Sequence, residues 1–186
     1  MSADPFHLNR PVHLARRDVF YEKAVTLIKK LPSQKSLSEQ SKTAEQALYL
    51  LREARRHAEA ANLSEKTSTQ SRLFVSFMDT VVDNTLSITR MLHRQISAGA
   101  LDNPLDGFIG STGPATKMSG YYRRCGVLIL KGLLNILQQA EKPFQALRQT
   151  SLAKMSVVDK SRYEKAQKHF EETSDDEAEK AAEFPA

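Results

Sequence analysis

The chain has 186 residues, of which 40% are hydrophobic and 26% charged, and Lys plus Arg exceed Asp plus Glu by five. This is a globular composition, sufficient for one domain or one domain with a tail. A single cysteine, Cys125, excludes a disulfide scaffold, and no apolar run approaches the roughly 18 residues of a membrane span. Near Met1 there is no apolar core of signal-peptide type, so Sec-dependent export is not expected.

The first helix is expected over 12–31, opening at Pro11 to His13 and closing before Pro32, because the residue before a proline is pushed out of helical geometry. Val19, Phe20, Ala24, Leu27, Ile28 and Leu31 keep the three–four spacing of an apolar face, interrupted by Lys23. The second helix is expected over 36–62. Ser36 followed by Glu39 has the spacing of a capping box, and Ala44, Ala47, Ala54, Ala58 and Ala61 predict close packing on a neighbour. A third helix is expected over 68–98, with Leu73, Phe74, Phe77, Met78, Val81, Val82, Met91 and Leu92 at helical spacing and Gly99 as its stop. The short connection predicts that the second and third helices form a long antiparallel hairpin.

All seven glycines lie between 99 and 132, and residues 99–118 read as a Gly-rich flexible loop. A fourth helix, 119–142, is the most apolar segment and is expected at the centre of the bundle, with Pro143 kinking or ending it. A fifth is expected over 144–170. Residues 171–186 are acidic and read as a disordered tail. The fold class is therefore all-α: a four- or five-helix bundle with a long antiparallel hairpin and one Gly-rich loop, residues 1–168 forming a single domain.

Charge is segregated. Residues 1–168 hold 26 Lys and Arg against 15 Asp and Glu, whereas residues 169–186 hold one Lys against seven acids. Arg52, Arg55 and Arg56 share one helix face, and Arg90, His93 and Arg94 another, so both groups are candidates for binding anions through forked guanidinium contacts. The competing use for Arg52 and Arg55 is structural ion pairing with Asp79 and Asp83 across the hairpin, and Arg90 and Arg94 would favour a helix C-terminus electrostatically. No zinc-finger spacing, aromatic sheet signature or basic-zipper heptad accompanies them.

Chemistry is sparse. Gly110 to Lys117 imitates a phosphate-binding loop but lacks the preceding strand and the Gly-Lys-Ser/Thr order. Cys125 follows Arg123 and Arg124, which would favour thiolate, yet no histidine stands in a supporting signature; a buried small hydrophobe is the simpler use. No catalytic residue, metal ligand set or cofactor is expected.

The last residues carry one resemblance. Glu171, Glu172, Asp175, Asp176, Glu177 and Glu179 form an acidic block followed by small residues and Phe184. This resembles the glutamate-rich C-terminal translocation signal of effectors exported by type IVB (Dot/Icm) secretion systems of intracellular bacteria, with Asp in place of Glu at two positions. The resemblance covers about 16 residues and implies a protein made in a bacterial cytoplasm, translocated without a cleaved signal and acting on a host protein. From the residues themselves, the expected function is non-enzymatic recognition of another protein, or of a second copy, with Leu128, Leu130, Leu134 and Leu137 as candidate interface. The alternative is a module binding nucleic acid or another polyanion, with the acidic tail as competitor. A cysteine-dependent enzyme comes third.

Overall fold

The computed structural model describes residues 9–63, 69–97 and 117–183, with side chains from Cys125 onward in the last stretch. All regular structure among the described residues is helical, in five helices: α1 Arg10–Lys30, α2 Leu37–Asn62, α3 Thr69–Ser97, α4 Lys117–Ala153 and α5 Val157–Glu183. The chain is all-α, as its periodicity predicts. The Gly-rich loop expected over 99–118 falls almost wholly outside the described residues.

Helix α1 starts with Pro11 in its first turn, where the missing N–H removes no helical bond, and runs into a 3-10 turn at Leu31–Ser33. The buried Gln40 side chain donates to the Leu31 carbonyl at 3.0 Å and ties that turn to α2. Ser36 caps α2 as its spacing predicts, its hydroxyl accepting from the Glu39 N–H at 3.1 Å. The alanine face of α2 is fully buried, because small side chains let the helix axes approach closely. Asn62 bonds Ser71, Arg55 pairs with Asp79, and Glu45 meets His93, so α2 and α3 run antiparallel.

Three expectations are corrected. First, α4 does not end at Pro143; one helix continues through it to Ala153. The bond that Pro143 cannot make would reach the carbonyl of Gln139, and both residues are exposed, so water can satisfy that carbonyl. Second, the segment from Glu171 to Glu183 is not a disordered tail but the C-terminal half of α5. Ser156 caps α5 by accepting from the Asp159 N–H at 3.2 Å, and Tyr163, Phe170, Ser174 and Ala178 form its buried stripe.

Third, the central element is α1 rather than the apolar α4. Helix α1 packs against α2, α5 and, less extensively, α4, whereas α4 rests chiefly on α3 at the edge of the bundle. The interior around α1 is partly ionic. Asp18, 1% exposed, accepts from Arg17 Nε at 2.7 Å and from the Tyr163 hydroxyl at 2.6 Å, and Arg148 Nε donates to that hydroxyl at 3.1 Å. Burial and the Asp18 carboxylate push the Tyr163 hydroxyl above its ordinary range, keeping it a neutral donor.

Candidate functional site

Because α4 touches mainly one neighbour, its apolar surface is incompletely covered. Between α3 and α4 lies an open groove of about 420 Å³. Its floor is aromatic: Phe74 stacks on Phe144 at 5.6 Å between ring centroids, Phe77 lies 6.1 Å from Phe74, and Tyr21 of α1 backs Phe144 at 4.5 Å. Leu73, Ile136, Ala140 and Pro143 form the walls, with Gln70 and Gln139 the polar groups. Leu73 is 63% exposed at the rim. Pro143 belongs to this wall because the helix continues through it.

A second site is charged and lies where α1, α2 and α5 meet. Arg16 of α1 bonds Glu53 of α2 at 2.9 Å and both carboxylate oxygens of Glu177 of α5, while its guanidinium covers the Phe20 ring at 4.1 Å. The Tyr49 hydroxyl donates to Glu177 at 2.5 Å. Burial and the adjacent Glu177 carboxylate push that hydroxyl above its ordinary range. His57 Nε2 stands 3.5 Å from Glu53 Oε2 and Arg16 stands closer, and together they hold the Glu53 carboxyl at about 2 despite its burial. His13 Nδ1 faces His57 Nδ1 at 2.7 Å, a contact that requires at least one neutral ring. Burial, His57 and Arg56 all lower the His13 pKa.

The anion-binding candidates do not form one surface. Arg55 is engaged by Asp79 and Glu59, Arg56 by Glu53, and His93 by Glu45 at 2.9 Å. Arg52, Arg90 and Arg94 are exposed and make no ion pair with the described residues. The interface candidates also separate: Leu130 and Leu137 are core, Leu134 is half-buried, and Leu128 is 68% exposed. They recur on one helix, but its two sides meet different surroundings. Among the acidic candidates, Asp175 pairs with Lys23 at 3.1 Å, Glu179 with Lys42 at 3.1 Å, and Glu177 with Arg16. Glu171 offers only its backbone carbonyl, to Lys23, and Glu172 and Asp176 are exposed. Phe184 lies outside the described residues.

Cys125 is a half-buried free thiol on α4; the side chains of Arg123 and Arg124 lie outside the described residues. No cluster of three His, Cys, Asp or Glu side chains suited to a metal occurs among the described residues. No helix among them is long and apolar enough to cross a membrane. No family model matches the chain, and neither a curated protein nor a solved structure matches it.

Sequence reasoning missed the groove because Leu73, Phe74 and Phe77 read as one helical core stripe. Adjacency gave no signal, since Met91 and Leu92 on the same helix are adjacent and both buried. Leu73 and Phe74 lie 100° apart on the helix, at opposite edges of a stripe of that width, and only the packing of α4 decides that Phe74 is buried and Leu73 left at the rim.

Proposed function

We propose that this protein acts without catalysis, by binding an amphipathic helix of another protein in the α3–α4 groove. The supporting observation is the groove itself: an aromatic floor, aliphatic walls and two amides, opened because the most apolar helix sits at the edge. Helix-in-groove recognition uses such a surface, with anchors at i, i+3 or i+4 and i+7 filling it. Burial of each aliphatic anchor contributes about 1.5–3 kcal/mol before the costs of association are met. Its volume accommodates a few anchors, not a whole domain.

The acidic C-terminal block extends the proposal to an exported effector whose partner is a host protein. That extension rests on the resemblance of residues 171–184 to a type IVB translocation signal. Deleting 171–186 from a reporter fusion should then abolish translocation, and retained translocation removes this part.

The test of the groove is selection of helical peptides from a display library on the full chain, with the Leu73→Glu chain as counter-target. Selected peptides should carry i, i+3/i+4, i+7 apolar anchors and bind Leu73→Glu at least tenfold more weakly. Because Leu73 is exposed, its thermal midpoint should stay put. Peptides that bind both chains equally refute the assignment.

A further inference from the structure

Helix α5 is held in an unusual manner for a terminal helix. Along its 27 residues only Tyr163, Phe170, Ser174 and Ala178 are buried. Its first half is anchored firmly, through the Tyr163–Asp18 bond and the edge-on contact of Phe170 with Phe20 at 5.9 Å. From Glu171 onward the attachment is mostly polar. Lys23 binds the Glu171 carbonyl at 2.7 Å and Asp175, Arg16 and Tyr49 bind Glu177, and Lys42 binds Glu179. These four basic and phenolic groups come from α1 and α2 and complement carboxylates on both flanks of the buried Phe170, Ser174 and Ala178 stripe, Glu177 on one side and Asp175 and Glu179 on the other.

The fit of this half is also imperfect. Ser174 is fully buried, and its hydroxyl has no hydrogen-bond partner among the described residues. A buried hydroxyl without a partner has lost its water and gained nothing in return, so an alanine there would seat better. Burial alone would raise the Glu177 carboxyl, but hydrogen bonds from Arg16 and Tyr49 outweigh it and keep it below its ordinary value, hence ionised near neutrality. Helix α5 is joined to α4 by the three residues 154–156, and contacts with α1 and α2, not with α4, dominate its packing. It is therefore seated much as a separate peptide would be.

We infer that the α1–α2 surface formed by Arg16, Lys23, Lys42 and Tyr49 is a binding site for acidic amphipathic helices, filled in cis by residues 171–183 of α5 and open to an acidic helix of a partner protein when that half lifts. The site is distinct from the α3–α4 groove and does not rest on the function proposed for it. Covalent attachment gives α5 an effective concentration of roughly millimolar, so a partner helix must fit better than α5 or meet a weakened strap.

The experiment uses the full chain and a labelled peptide of residues 171–183 as probe. A strap variant with Asp175→Asn, Glu177→Gln and Glu179→Gln should bind the peptide at least tenfold more tightly than the natural chain. The Ser174→Ala peptide should bind several-fold more tightly again. Adding Lys23→Glu and Lys42→Glu to the strap variant should abolish the gain. Equal affinity for the natural and strap chains overturns the proposal, as does equal binding of a scrambled peptide of the same charge. A second measurement needs no variant. In hydrogen exchange on the natural chain, amides of 171–183 should exchange through local opening, faster than those of α1. Exchange of both only through global unfolding means that the site is never vacated, and overturns the inference.

Discussion

Helix α1 carries Arg16, Arg17, Asp18 and Lys23 along its middle and is nevertheless enclosed by α2, α4 and α5. Helix α4, the richest in leucine and isoleucine, lies at the edge and leaves Leu128 68% exposed. The difference lies in partners. Arg16, Asp18 and Lys23 meet an opposite charge or a donor from another helix, and Arg17 pairs with its neighbour Asp18 and lies over the Phe74 ring, so burial costs less than an isolated charge would. Helix α4 meets chiefly α3, and one partner can cover only one face of an apolar helix. Hydropathy ranks segments by their average; position in a bundle depends on how many neighbours present complementary groups.

The comparison is tested most severely at Asp18. Asp18→Ala removes the acceptor shared by Arg17 and Tyr163 and leaves the 3%-exposed Arg17 without its counter-charge. A loss of about 3–5 kcal/mol is expected in urea unfolding, as for other broken buried pairs. A loss below about 1 kcal/mol would show that the enclosed charges of α1 are solvated after all.

On α4 the two sides should respond unequally. Leu130→Ala opens a cavity in the core and should cost about 2–5 kcal/mol, whereas Leu128→Ala, on the exposed side, should stay within about 0.5 kcal/mol. Similar losses at both positions would indicate that a second copy covers Leu128, which sedimentation mass would reveal.

Acid should act on the α1–α2–α5 junction first. The Glu53 carboxyl sits at about 2 in the folded chain against an ordinary 4.5. Its contribution is complete above pH 4.5 and is lost as pH falls toward 2; at about 1.4 kcal/mol per unit this is on the order of 3 kcal/mol. His13, lowered from 6.5, prefers to be neutral in the folded state, so stability also declines as pH falls through 6.5. Urea midpoints should therefore drop in two stages, and His13→Gln should flatten the upper one alone. A flat profile from pH 7 to 5 contradicts the paired-histidine geometry.

The smallest effect should come from Gly132. It is exposed within α4, and a Cβ placed there meets nothing within 4 Å. Gly132→Ala should stabilise by up to about 1 kcal/mol through helix propensity. A destabilisation would mean that something packs on that face.

Local signals in the chain carried the all-α class, the Ser36 cap, the alanine face of α2 and the α2–α3 hairpin with its Arg55–Asp79 pair. Each depends on residues three or four apart, or on one short connection, and so is written in order along the chain. The ion pairing foreseen for Arg52 and Arg55 with Asp79 and Asp83 holds for Arg55 and Asp79, whereas Arg52 makes no ion pair with the described residues and the partners of Arg56 and His93, Glu53 and Glu45, were not foreseen. The tail misread as disorder shows where such reasoning stops. A block of carboxylates is unfavourable to itself, and Arg16, Lys23 and Lys42, more than 130 residues earlier, hold it against the bundle as a helix. Pro143 likewise ends a helix unless the carbonyl it strands faces water, which depends on which side of α4 the bundle covers.

Outside the stretch beyond Pro143 and the acidic half of α5, which residues form helices was thus settled by local periodicity, capping and the even spacing of apolar side chains. Which helix lies at the centre, which apolar face is left open as a groove and which acids are held against which bases were decided only in the tertiary structure. Those outcomes depend on contacts between residues far apart in the chain, and burial free energy, unlike helical spacing, has no meaning until the neighbour is known.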